Sequence, residues 1–379
     1  MNNHSCSFID KGLFVSHRGS NLCCVNENPS KEIQLPSKFW NSSIRQNAIE
    51  NVQKNLPVNG CDHCYRSEKQ GLSSNRLHYK KYENLETKSL PVLLDLDLSN
   101  FCNLKCVMCS AERSSEWAKE DKMYQATNNV SSVSKDIIDD LVNISQDVKE
   151  IQIQGGEPTI MDQYQYYFDM LDSKNYSKNI NLLITTNATN INQRFYKSLQ
   201  NFKSVRMSVS IDAFGQANDY IRWPSKFNAI GKNIRSMVDY ENFTQVEIFN
   251  TINILSMFNY KEFLLWCKDM ESFYKEQQKN LVIIPWKVER PIWYSPFISN
   301  NNLKEHFINE VKAFLQKNTL SSQNWKTQML LFLKALNKSI ANDSANKQFL
   351  YRVKHLDRQR NTKIEDFIPN FYDFYEKSQ

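Results

Sequence analysis

From about residue 90 onward, short apolar runs alternate with stretches whose apolar residues recur every three to four positions. The runs predict strands over Val92 to Leu98, Glu150 to Gln154, Ile180 to Thr186, Val205 to Ile211, Gln245 to Ile252 and Leu281 to Val288. The stretches between them predict helices from the N-cap Ser134 to Ile144, and over about Asp162 to Leu171, Ala229 to Tyr240 and Tyr260 to Tyr274. Alternation of this kind argues for an α/β fold with a parallel sheet and crossover helices. Six such units are too few for a closed eight-stranded barrel and enough for a partial (β/α)6 barrel.

The flanks differ. Up to about residue 88 the elements are short and turn-rich. Leu13 to His17 and Ser20 to Cys24 flank Arg18-Gly19 and predict a tight hairpin, and Ile44 to Gln53 predicts a helix. After about residue 300 the pattern is helical and amphipathic over Leu303 to Leu315, Trp325 to Leu336 and Asn346 to Leu356. The expected organisation is a small N-terminal domain over 1–88, the partial barrel over 89–300 and a helical C-terminal region over 301–379.

Composition adds bounds. The chain has 379 residues, 41% of them hydrophobic, enough for a large core and more than one domain. Its start, Met1 to Cys6, lacks the basic segment and apolar run of a signal peptide. No apolar stretch approaches the ~20 residues that span a bilayer. A soluble cytoplasmic protein without a membrane partner is expected. The net charge of +6 suits an anionic ligand, but no compact Lys/Arg run supports nucleic-acid binding.

Cysteine changes the picture most. Eight of the nine cysteines lie in the first 109 residues, and in a cytosolic chain such density points to metal or redox chemistry. Cys102, Cys106 and Cys109 are spaced C-x3-C-x2-C. Three thiolates can hold three irons of a four-iron cluster and leave the fourth open for a ligand. The alternative is zinc, which usually takes four ligands, commonly from paired C-x2-C knuckles.

This segment resembles the signature of the radical S-adenosylmethionine superfamily, including an apolar residue, Met108, before the last cysteine. The resemblance implies a radical SAM-type barrel, a 4Fe-4S cluster on these cysteines, bound S-adenosylmethionine, and Met108 near the adenine. Gly155-Gly156-Glu157-Pro158 is similar to the family's Gly-Gly-Glu-Pro motif for the cofactor's amino group. The chemistry is apt, since glycines admit close backbone approach and a carboxylate pairs with an ammonium. Thr185-Thr186-Asn187-Ala188 is similar to a Thr-Asn-Gly stretch, which makes Asn187 a candidate contact; a strand-capping Asn is the alternative. Ser210 and Asp212, with Arg222 twelve residues after Ser210, match positions that contact ribose and carboxylate in members with an extra cluster domain. Asn253 and Trp286 to Arg290 follow the last two strands and are candidates for the substrate side. Every motif lies at the C-terminal end of an expected strand, where parallel-barrel enzymes build their sites.

A second set comprises Cys6, Gly19, Cys24, Cys61 and Cys64, with twelve residues between the first two, four between Gly19 and Cys24, and C-x2-C at the end. It resembles the auxiliary-cluster domains called SPASM or twitch, here preceding the barrel as in a group with an N-terminal twitch domain. Glu68, Gly71, Ser73 and Arg76 also fit that group's spacing. The resemblance implies a second 4Fe-4S cluster on Cys6, Cys24, Cys61 and Cys64; a zinc knuckle is the alternative. Cys23 competes with Cys24, because successive strand side chains face opposite ways. Cys267 reads as core.

The implied enzyme takes an electron from a donor such as flavodoxin or ferredoxin and cleaves S-adenosylmethionine reductively to a 5′-deoxyadenosyl radical. That radical abstracts hydrogen from a small polar molecule or a peptide. An auxiliary cluster accepting an electron would make the reaction a net oxidation. The alternatives are a maturase of ribosomal peptides or proteins, and a non-catalytic zinc or iron–sulfur protein.

Overall fold

The computed structural model describes residues 4–28, 35–69, 71, 73–86, 88–120 and 130–376. In chain order its strands are β1 (Gly12–Ser16), β2 (Gly19–Asn21), β3 (Leu93–Asp97), β4 (Lys105–Cys106), β5 (Glu150–Ile153), β6 (Asn181–Thr186), β7 (Ser204–Ser210), β8 (Arg222–Trp223), β9 (Phe243–Ile252) and β10 (Leu281–Lys287). The six expected strands are β3, β5, β6, β7, β9 and β10. Two compact units result: Met1–Asn103 with Ala111–Thr185 and Asn192–Arg206, and Leu104–Ser110 with Thr186–Ile191 and Met207–Gln379. The central sheet is mostly parallel and surrounded by helices.

In the first unit the strand order is β2-β1-β3-β5-β6. The pairs β1–β3, β3–β5 and β5–β6 are parallel, and β1–β2 is the expected antiparallel hairpin. Every residue of β1 and β3 is buried, as in parallel strands covered on both faces. The register sets Ser16 beside Asp97, so the N-terminal segment extends the sheet. The boundary expected near residue 88 therefore does not separate compact units. Leu13, Phe14 and Val15 are apolar on both faces of β1 and are buried only because β1 joins β3. Helices Lys135–Asn143 and Asp162–Ser173 contribute the buried stripes Ile137, Ile138, Leu141 and Val142, and Tyr164, Tyr167, Phe168 and Leu171.

In the second unit β9 and β10 pair in parallel from Leu281 opposite Val246 to Lys287 opposite Ile252, with β7 on the other side of β9. Lys105–Cys106 and Arg222–Trp223 form a separate antiparallel ribbon. The expected C-terminal helices are Asn301–Lys317, Gln323–Lys338 and Asp343–Arg360. Helices Gln193–Leu199 and Gly215–Ile221 were not apparent in the apolar pattern, since each is only about two turns long. Among the described residues, no helix is long and apolar enough to cross a membrane.

Arg45 ties the N-terminal helices together. It is 7% exposed, lies 3.2 Å above the Trp40 ring, and donates to the carbonyls of Trp40 (3.2 Å) and Asp10 (2.8 Å). Arg45→Ala would strand both carbonyls and remove the stacking contact. We expect a loss of ~2–3 kcal/mol, measured by equilibrium denaturation.

Candidate functional site

The first unit holds Cys102 and the Gly-Gly-Glu-Pro turn. After β3, Asn100 organises the loop: its side chain donates to Ala111 O (3.2 Å) and accepts from Ser131 N (2.8 Å), and its carbonyl accepts from Ser115 N (2.7 Å). Ser115 Oγ accepts from Cys102 N (3.1 Å) and donates to Cys102 O (3.2 Å). The Gly155–Pro158 turn after β5 is bonded to this loop, with Gly156 N donating to Ser99 O (3.0 Å) and Glu157 N to Phe101 O (2.8 Å). A Cβ on Gly156 would lie 2.1 Å from Phe101 O, so the approach admits only glycine. Glu157 is 1% exposed, and Oε1 accepts from Thr159 N (3.2 Å) and Thr159 Oγ1 (2.7 Å). The carboxylate caps the short turn begun by Pro158, a role its pattern did not announce.

The N-terminal cysteines also lie in this unit. Cys6, Cys23, Cys61 and Cys64 line one cavity of about 20 Å³, together with Tyr65 and Arg76. Burial, as the leading cause, pushes the Cys6 thiol up to about 11 and the Cys61 thiol up to about 12. Cys24 faces elsewhere: its sulfur accepts from Asn75 Nδ2 (3.5 Å) and its thiol hydrogen-bonds to Asp95 of β3. Structurally, then, Cys23 and not Cys24 accompanies the other three. Arg76 and Glu68 form an ion pair, and Glu68 also accepts from Ser74 Oγ (2.6 Å). Ser73 and Gly71 are exposed.

Asp97 was not singled out from the sequence. It is 1% exposed at the end of β3, with Arg113 Nη1 3.7 Å away. The available signal was two aspartates, Asp95 and Asp97, two residues apart in an apolar strand.

The second unit holds Cys106, Met108 and Cys109, all half-buried. Cys109 N donates to Cys106 O (3.0 Å), and Val107 N to Ile221 O (2.8 Å). Arg222 Nη1 lies 3.9 Å from Cys106 Sγ. Asp212, fully buried, holds that arginine through Nε (2.8 Å) and Nη2 (3.1 Å) and accepts from Thr251 N (3.0 Å). Burial raises the Asp212 carboxyl, and Arg222 opposes this. Ser210 ends β7 half-buried. Asn187 forms a local turn, its Oδ1 accepting from Thr189 N (2.9 Å) and Thr189 Oγ1 (2.6 Å). Ala188, where glycine is usual, has φ 51°. Asn253 caps the following 3₁₀ turn, Trp286 stacks on Phe249, and Lys287 pairs with Glu289. Cys267 is fully buried core.

Among the described residues, no three His, Cys, Asp or Glu side chains converge as ligands of one metal ion would. A four-iron cluster asks for something wider, because each thiolate binds a different iron. In the first unit the Cys102 thiol and the glycine-only approach at Gly156, and in the second the Cys106 and Cys109 thiols with a guanidinium beside Cys106, are each chemically suited to a thiolate-held cluster and an amino-acid-bearing cofactor.

Residues 96–264 match the family model of the Radical SAM superfamily. An uncharacterized protein of Methanocaldococcus jannaschii is 31% identical over 132 residues, 34% of this chain and 41% of the relative. A GTP 3′,8-cyclase of Campylobacter lari is 29% identical over 119 residues, 31% of this chain and 34% of the enzyme. The chain thus spans less than half the length of these relatives. Among solved structures, native anSMEcpe with bound AdoMet and Cp18Cys peptide is similar, with a TM-score of 0.40 and 17% identity over 62% of this chain and 63% of that one. The similarity to the Radical SAM superfamily thus lies in residues 96–264, the stretch that holds Cys102, Cys106, Cys109 and the Gly155–Pro158 turn.

Gly156→Ala tests the close approach. The added methyl group drives the turn away from Phe101 O, and we expect ~3 kcal/mol or more of lost stability by denaturant titration. Ala188→Gly relieves the left-handed backbone and should stabilise by up to ~1 kcal/mol in the same assay.

Proposed function

We propose that the chain reductively cleaves S-adenosylmethionine and directs the resulting radical to a C–H bond of a small polar molecule or a peptide. The observation that carries this reading is the bonding of the Gly155–Pro158 turn to the Cys102 loop through Ser99 and Phe101. When bound and reduced, the cluster supplies the electron that breaks the cofactor's sulfur–C5′ bond.

The residues divide the remaining work. Cys102, Cys106 and Cys109 hold the cluster and leave one iron open. Gly155 and Gly156 bring backbone up to the cofactor's amino group, while Glu157 and Pro158 hold the turn in shape. Arg222, oriented by Asp212, offers a guanidinium suited to a carboxylate. Met108 would pack near the adenine, and Asn187 and Ser210 would supply polar contacts. A flavodoxin- or ferredoxin-like protein delivers the electron. We assign a second four-iron cluster to Cys6, Cys23, Cys61 and Cys64, with Cys23 in place of Cys24 because it shares their cavity. A cluster held there would supply an acceptor for the substrate radical's electron, which would make the reaction a net oxidation.

The test is anaerobic reconstitution with iron and sulfide, reduction, and assay of 5′-deoxyadenosine. About eight irons per chain with product formation is the expected result; zinc with no product overturns the reading. A Cys102→Ala, Cys106→Ala, Cys109→Ala variant should keep about half the iron and lose all cleavage. Cys23→Ala should also lose about half the iron, whereas Cys24→Ala should keep it. The reverse ranking would return the fourth auxiliary ligand to Cys24.

A further inference from the structure

The C-terminal helices lie outside the matched domain, yet one of their residues reaches the cysteine loop. Arg360 sits in the last turn of helix Asp343–Arg360 and is half-buried. Its guanidinium forks: Nη2 donates to Lys105 O (2.9 Å) and Nη1 to Tyr220 O (2.8 Å). Lys105 immediately precedes Cys106, and both belong to β4, which pairs with Arg222–Trp223. The guanidinium also lies over the rings of Tyr220 (5.4 Å) and Trp223 (5.5 Å).

The helix end that carries Arg360 is itself held. Asn361 terminates the helix in the left-handed conformation, with φ 51°. Asp357, one turn back, accepts from Tyr220 Oη (3.0 Å), Thr362 Oγ1 (3.1 Å) and Ile364 N (3.0 Å). One arginine thus joins the strand bearing Cys106 to the chain just before Arg222. A lysine cannot reproduce this, because two carbonyls at fixed separation call for a planar fork.

We propose that Arg360 is a positioning residue of the cluster site: it holds the Lys105 carbonyl, fixes where the Cys106 thiolate stands, and keeps a permanent positive charge near it. The inference rests on the function proposed above. A nearby cation favours the reduced cluster, so Arg360 raises its reduction potential. The C-terminal helix is then a functional part of the enzyme.

The experiment uses the full chain, reconstituted anaerobically, with S-adenosylmethionine as probe. Arg360→Gln and Arg360→Lys are compared with the wild type and with Arg358→Gln on the same helix. Readouts are iron content, the EPR spectrum of the reduced cluster with and without the probe, its midpoint potential, and KM and kcat for 5′-deoxyadenosine formation. Arg360→Gln should keep its iron, show a more negative potential and an altered probe-bound spectrum, and raise KM several-fold. Arg360→Lys should restore the potential but not the spectrum or KM. Arg358→Gln should match the wild type. Wild-type potential, spectrum and KM in Arg360→Gln overturn the inference alone. If Arg360→Gln does not fold, wild-type spectrum and KM in Arg360→Lys overturn it. A wild type with no probe-responsive cluster overturns the proposed function and this inference together.

Discussion

Gly156 and the carbonyl of Phe101 stand closer than any side chain would permit, and the frame around Cys102 depends on that approach. Two backbone bonds, Gly156 N to Ser99 O and Glu157 N to Phe101 O, lock the loop after β3 to the turn after β5. Each strand end belongs to a parallel pair that is buried except at half-buried Gln152, so the lock joins two rigid supports. Glu157 spends its carboxylate on Thr159, which keeps the turn narrow enough for the approach. Asn100 and Ser115 complete the frame around Cys102. Preorganisation of this kind lets a loop bind a cofactor without ordering its backbone at the moment of binding.

In the second unit the comparable element is electrostatic. Asp212 and Arg222 are a buried pair, and burying such a pair in place of apolar groups seldom adds stability. Removing either partner would leave the other charged and desolvated, at ~3–5 kcal/mol. The pair therefore makes sense as an orienting device. Asp212 accepts from Arg222 Nη2 and from Thr251 N and lies 2.8 Å from Nε as an ion pair, leaving Nη1 directed toward Cys106. The arginine that the sequence pattern assigned to cofactor binding is thus also held beside the Cys106 thiol.

The six parallel strands were legible because each buries a short apolar run, and the motif residues were legible because they follow those runs. What escaped was set by contacts distant in sequence. Nothing local in Leu13 to Ser16 says that the strand will lie parallel to Leu93 to Asp97, some eighty residues on. Glu157 carries a charge that suits an ammonium, and only the fold shows Thr159 occupying one of its oxygens. Arg360 reads as one of several basic residues ending an amphipathic helix. Its two carbonyl partners lie 255 and 140 residues away.

The neighbouring cysteines show how charge decides what spacing leaves open. Gly19 and the intervening residues bring both Cys23 and Cys24 within reach of a pattern match, and because both lie past the end of β2, strand alternation does not choose between them. Cys24 lies against Asp95, whose carboxyl is raised to about 6, chiefly by burial, although Cys24 and Gln154 both donate to it. A thiol serves there as a donor. A thiolate in the same place would set a second negative charge against a buried carboxylate, in a region of low dielectric where like charges repel strongly. For Cys23 burial leads the causes that raise it, followed among charges by the thiols Cys6, Cys61 and Cys64. Those are the groups whose mutual repulsion a bound cationic cluster core would relieve. The Asp95 carboxylate thereby favours the thiol form of Cys24.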